Sequence, residues 1–323
     1  MKSLPHNGGL GSALRGHRLA TRHLITQILR WTLAGAIMAL MGFMTCFASG
    51  QSLAGPRRPR FDPTKPNTSP EARQSAIASI PFEKLPPESR KKVASVLSKP
   101  TIFRRMPLHV TECDPNLHQF IVRHPDVLVG IWEELGVSGF RMAETSPGLY
   151  QATDGKSTKG TAEFVYQSDD TYVVYCKGTY QGPPLAKPLT GTALLVLKTG
   201  NVRHPDGHTY ITTRLDTFTH IDNVTVDFLT RTFQPLIGHV VDNNFLQTSE
   251  FVGSLSRTTA INHRGIQRLA GRLHRVRPEV RKEFAALARQ LGEKGATRQV
   301  SHETPLGAAI QTRMTAKPNT GRY

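Results

Sequence analysis

Apolar and polar positions change rhythm several times along this chain. Trp31 to Ala48 is an unbroken apolar run of eighteen residues without a charge. Between Glu71 and Lys99 two short helical patterns follow, split by Pro81, Pro86 and Pro87, and the second, Glu88 to Leu97, sets Val93, Val96 and Leu97 on one face. Ile102 to Glu112 is strand-like, with Pro107 confining it to a sheet edge or bending it, because proline cannot donate to a ladder. Asp114-Pro115 opens a helix, Asp as N-cap and Pro at the first helical position. That helix runs to about Arg123 with Leu117, Phe120 and Ile121 inward. His124-Pro125 interrupts it, and a second helix from Asp126 to Leu135 offers Val127, Leu128, Ile131, Trp132 and Leu135 before Gly136 ends it.

The rhythm then shortens to strand-like alternation over Phe140–Thr145, Leu149–Thr153, Thr161–Gln167, Thr171–Tyr180, Thr190–Lys198 and Tyr210–Thr219. Turn residues separate these runs, and the pair around Asp169-Asp170 is the clearest hairpin. From about Val224 to Phe251 the apolar positions Phe228, Leu229, Phe233, Ile237, Val240, Val241 and Phe245 recur mostly at three- and four-residue steps. This is the mark of a helix laid on a core, with Pro235 set to kink it.

The element order is strand, two short helices, about six antiparallel strands and one long helix. It predicts an α+β fold, a sheet with one helix layer. Over roughly Thr101 to Phe251 this order resembles the helix-grip fold of the START-like (SRPBCC) superfamily. The resemblance implies a curved antiparallel sheet packed on a long C-terminal helix, with a cavity between them, and it carries no universal catalytic residue. Alternation would then turn Tyr172, Val174 and Cys176, Leu194 and Val196, and Ile211 and Leu215 toward the long helix, which would contribute Phe233, Ile237 and Val241. These line either a ligand pocket or a filled core, since interiors normally pack to crystal-like density.

Residues 31–48 would make a helix about 27 Å long, close to the ~30 Å hydrocarbon core of a bilayer. Arg15, Arg18, Arg22 and Arg30 precede this stretch and hold that end in the cytoplasm, although Arg57, Arg58 and Arg60 beyond it blunt the asymmetry. It is either a cleaved signal peptide, with small residues at Ala48-Ser49-Gly50 and Ser52-Leu53-Ala54, or a retained transmembrane helix. Phe43-Met44-Thr45 fits poorly as the approach to a lipidated Cys46. Either form places the domain in the cell envelope: membrane-anchored and outside the cytoplasm, or secreted. The divisions are a basic, disordered 1–30, the apolar 31–48, a Pro-rich linker 49–70, lead-in helices 71–100, the α+β domain 101–262, a basic amphipathic helix 263–291 and a disordered tail 292–323.

Charge sharpens this picture. The net charge is +17, but residues 1–60 hold eight Lys/Arg and no acid, and residues 263–323 hold thirteen against four. The stretch between is neutral, so an excess that first suggests nucleic acid is confined to the ends, and nucleic acid is the least natural partner of an exported domain. Arg264, Arg268, Arg272 and Arg275 mark a basic face that suits anionic lipid or a partner protein, or else is only a solvated face. Pro278 breaks the pattern into two pieces.

Candidate chemistry adds little. His204-Pro205-Asp206-Gly207-His208 could turn two imidazoles and a carboxylate toward a metal, yet a polar hairpin loop explains the same residues. Asp216, His220 and Asp222 could serve acid–base chemistry in a hydrolase or cyclase-type enzyme, but no elbow or triad pattern places a nucleophile. No glycine loop cradles phosphate, and no motif calls for a cofactor or metal. Cys113 and Cys176 are the only pair a disulfide could join in the globular part, and as unpaired small hydrophobes they fit equally well. The leading expectation is therefore a non-enzymatic envelope domain binding a hydrophobic small molecule or lipid, with a membrane-tethered interaction module as its rival.

Overall fold

A computed structural model describes residues 62–182, 187–205, 207–222 and 234–295, with side chains in the last stretch from 241 onward. The apolar run 31–48, the linker before Asp62 and the tail after Gly295 lie outside the described residues, as do 224–233 of the long helix. Two helices lead in, α1 (Pro70–Ala78) and α2 (Pro87–Ser98), with a 3-10 turn at Phe82–Lys84 between them. Ser69 caps α1 by accepting the Ala72 N–H, and each helix begins on proline, whose missing N–H costs nothing there.

Eight strands form one curved antiparallel sheet: β1 (Ile102–Arg105), β2 (His109–Glu112), β3 (Arg141–Ser146), β4 (Leu149–Thr153), β5 (Thr158–Gln167), β6 (Thr171–Tyr180), β7 (Leu189–Arg203) and β8 (Thr209–Ile221). Their order across the sheet is β1-β8-β7-β6-β5-β4-β3, and β2 also pairs with β8. Pro107 has the expected effect. It splits the edge into β1, opposite Asp216–Thr219, and β2, opposite Tyr210–Thr213. The β5–β6 hairpin turns at Ser168–Asp170 as read from the sequence. β7 runs five residues past the predicted Lys198, because pairing with β8 overrides the turn-like Gly200 and Asn201.

Between β2 and β3 lie α3 (Pro115–Arg123) and α4 (Pro125–Glu134). The Asp114 carboxylate caps α3 by accepting the N–H groups of Asn116 and Leu117, and His124-Pro125 is the break between the two helices. After β8 come α5 (Gln234–Ile261), α6 (His263–Arg272) and α7 (278–295), with Pro235 in the first described turn of α5 and Pro278 opening α7. α7 continues past Gly292, where composition alone predicted disorder. A Cβ on Gly292 would overlap the His263 ring, so glycine is what lets α7 lie against the start of α6.

Both faces of the sheet are covered. On the outer face Val165, Val173, Leu194, Val196 and Phe218 pack against Ala76, Ile80, Leu85, Val93 and Val96 of the lead-in region. On the inner face a larger core joins α3, α4, α5, α6 and α7, with Trp132, Leu117 and Phe284 fully enclosed. Ion pairs tie the layers together. Arg105 grips Asp216 through two bonds of 2.6 and 3.0 Å with both side chains buried, and Arg104 reaches from β1 to Asp242 on α5. Among the described residues no helix is long and apolar enough to cross a membrane.

Candidate ligand-binding site

The inner face does not fill completely. A cavity of about 240 Å3 lies between the sheet, α3 with the start of α4, and α5. Its sheet wall holds Tyr172 and Val174 of β6, Leu195 and Leu197 of β7, and Ile211, Thr213 and Leu215 of β8, with Phe164 of β5 and Thr111 of β2 at its margins. The α5 wall holds Phe245, Thr248, Ser249 and Val252, which recur on one helical face. His118, Ile121, Val122, Pro125 and Leu128 close the third side. α5 approaches β2 closely at Gly253, where a Cβ would overlap the Thr111 side-chain methyl.

Four predicted pocket residues, Tyr172, Val174, Ile211 and Leu215, stand on this wall. Leu194 and Val196 do not. They are fully buried on the opposite face, and their neighbours Leu195 and Leu197 face the cavity, as the pairs Val174↔Leu195 and Tyr172↔Leu197 require. The cause is the covered outer face. Leu194 to Leu197 is apolar at every position, so alternation offers no clue to register. Cys176 shares the face of Val174 but lies about 7 Å farther along β6, beyond the cavity and beside Ala193 and Thr219. Val241 is half-buried on α5, one turn before Phe245 and off the wall. The side chains of Phe233 and Ile237 lie outside the described residues.

Reading the sequence for pockets missed Thr111, His118, Thr213, Phe245 and the α5 hydroxyls. One signal was available: Thr213 falls between Ile211 and Leu215 on a face of β8 that also carries Thr209, Thr217 and Thr219. The hydroxyls of Thr111 and Thr213 are buried without a hydrogen-bond partner among the described residues, an unusual state for buried polar atoms. The Tyr172 hydroxyl, with Arg123 and Gln119 near it, is likewise buried without a hydrogen-bond partner among the described residues. Burial alone pushes the His118 imidazole down to about 4, so it is neutral at pH 7. Burial likewise pushes the Cys113 thiol up to about 12. Cys113 and Cys176 are both free thiols.

The other candidates do not converge. His208 pairs with Glu112, and His204 meets the Tyr210 ring edge-on. Asp206 is outside the described residues, and among those described no three His, Cys, Asp or Glu residues are placed to hold a metal. Asp216 is committed to Arg105. His220, roughly 13 Å along β8, binds the Lys99 carbonyl and lies 3.4 Å from Asp222. Of the basic residues in the tail, Arg272 pairs with Glu134 and Arg275 with Glu133, which also binds Arg141. Arg264 and Arg268 remain exposed, without an ion pair among the described residues.

No protein-family model matches the chain, and no curated protein matches it. Among solved structures, it is similar to an uncharacterised protein from Rhizobium leguminosarum, at 10% identity over 45% of this chain and 95% of that one, with a TM-score of 0.25. A hypothetical protein from Helicobacter pylori matches at 13% identity over 44% and 85%, with a TM-score of 0.27. Apo dicamba monooxygenase matches at 11% identity over 63% of this chain and 60% of its own length, with a TM-score of 0.27. At such scores the likenesses carry no functional weight, and the site stands on its own geometry.

Proposed function

We propose that the chain is a non-catalytic binding domain that holds a small hydrophobic molecule between its sheet and its long helix, in the manner of a helix-grip fold. The carrying observation is the unfilled inner face. The outer-face residues Leu194, Val196, Val173 and Phe218 are fully enclosed, whereas on the cavity wall Tyr172 and Ile211 are enclosed but Val174, Leu195, Leu197 and Leu215 are only half-buried. Two adjacent rows of the same strands therefore differ in packing, and the looser row is the one that faces α5. A dry cavity of about 150 Å3 suffices for benzene, so the present one has room for somewhat more. The apolar run 31–48 supports an envelope location in which such a molecule is drawn from or passed to lipid.

The test is to purify the full chain from membranes of its own host, extract it with organic solvent and identify bound molecules by mass spectrometry. One apolar molecule per chain is expected, and a Leu195→Trp variant, which plugs the cavity, should carry none. An extract no richer from the native chain than from the plugged variant would overturn the proposal.

A second reading has one observation in its favour: Arg264 and Arg268 stand one turn apart on the exposed face of α6. As a docking site for anionic lipid, this face should lose vesicle binding in the Arg264→Gln/Arg268→Gln variant.

A further inference from the structure

The cavity's polarity points to a narrower ligand class than its apolar walls alone. Among the described residues no Lys, Arg, Asp or Glu lines it. Among the described residues its one imidazole, His118, is neutral and without a carboxylate partner, and its thiol, Cys113, stays protonated and donates to the Asp114 carbonyl at 3.4 Å. A bound carboxylate would surrender its hydration and meet no opposite charge. The cavity nevertheless holds unmet hydrogen-bonding capacity. Thr213 is 7% exposed, and the hydroxyls of Thr213 and Thr111 lack partners among the described residues. Both residues stand on the inner face of the β2–β8 ladder, where Thr213 pairs with His109 and Thr111 with Ile211. Because the Thr111 methyl is held against Gly253, its rotamer is set by helix packing, which fixes where its hydroxyl points.

We propose that the cavity selects an uncharged lipophile with about ten carbon atoms and a single ketone or alcohol oxygen, which meets the Thr111 and Thr213 hydroxyls, and that it rejects fatty-acid anions. This rests on the binding reading above. The threonines donate to a carbonyl oxygen, or accept from an alcohol while donating back to it. Selectivity then comes from two sources: unpaired hydroxyls penalise a pure hydrocarbon, and the absence of a cation among the described lining residues penalises a carboxylate.

The test is equilibrium dialysis of the full chain in mild detergent against 2-decanone, 1-decanol, n-decane and decanoate at pH 7.5. Leu195→Trp serves as the blank for partitioning into detergent, and Val252→Phe is a second plug should the first fail to fold. The ketone and alcohol should bind at least about tenfold more tightly than decanoate. The Thr111→Val/Thr213→Val variant should lose about tenfold in ketone affinity and bind n-decane more tightly than the native chain does, since the unpaired hydroxyls that penalise it are gone. Thr213→Ser, which retains the hydroxyl, should keep ketone binding. Decanoate binding as tightly as the ketone, or ketone affinity unchanged in the valine variant, would overturn this proposal and leave the cavity as a less selective site. No binding above the plugged blank for any of the four would overturn the binding reading itself.

Discussion

Asp126 sits in the first turn of α4 with its side chain fully buried, and neither carboxylate oxygen has a hydrogen-bond partner among the described residues. Burial is the main force raising its pKa, and Glu144 on β3 adds like-charge repulsion. The backbone N–H groups of Asp126 and Val127, with the Arg277 guanidinium that pairs Glu144, pull the other way and only partly compensate. The result is a carboxyl held at about 6 against an ordinary 3.8. Because the folded state binds this proton more tightly than the unfolded state does, the stabilisation is complete below 3.8. It is lost as pH rises through about 6, after which the ionised group costs on the order of 2–3 kcal/mol. Asp126→Asn keeps the shape and an acceptor oxygen but removes the charge. At pH 7.5 the variant should therefore unfold at higher urea, with a midpoint raised by about 1 M. At pH 4.5 the two proteins should agree to within about 0.5 M. Circular dichroism of the full chain in detergent reads both transitions. A variant destabilised equally at the two pH values would refute the reasoning, because it would mean that the carboxylate is ionised and well partnered when folded.

Three further outcomes are expected. Ending the chain after Asn262 removes Ile266, Leu269, Leu273, Val276, Val280, Phe284 and Leu291 from the larger core, so the truncated protein should lose its cooperative thermal transition rather than melt a few degrees early. Asp216→Ala leaves Arg105 buried without its partner and should cost about 3–5 kcal/mol in urea unfolding, whereas Arg105→Met/Asp216→Leu should recover most of that loss. With its thiol at about 12, Cys113 should resist alkylation by iodoacetamide at pH 8 and react only when urea opens the fold, as followed by mass spectrometry of the labelled peptide.

The sequence was most informative where one residue had only one structural use. Asp114-Pro115, His124-Pro125 and Pro107 marked a cap, a helix break and a divided edge strand, because their chemistry acts within a few residues of themselves. Polarity revealed strand faces only where one side of the sheet was wet. On β6 the exposed Lys177 betrays the register, but on β7 the run from Leu194 to Leu197 is apolar on both sides, and the lead-in helices that decide the matter lie about a hundred residues earlier. The arginines of the tail were ambiguous for a similar reason. Their spacing fitted a free basic face and a merely solvated one alike, and while Arg264 and Arg268 stay exposed, Arg272, Arg275 and Arg277 meet Glu134, Glu133 and Glu144 of α4 and β3. Asp126 read as an ordinary helix-start residue, since nothing adjacent to it in the chain foretells its burial. A hollow between layers leaves no mark on composition, except that threonines alternate with Ile211 and Leu215 along the inner face of β8.

Because β1 and β2 pair with β8, the first and last strands of the sheet meet at one edge, and α7 then seals the inner layer from beyond both. No fragment emerging from a ribosome can finish this edge before Ile221 has appeared, or enclose Trp132 and Phe120 before Phe284 arrives. Closure therefore waits until α7 has been made, and contacts so distant along the chain form slowly.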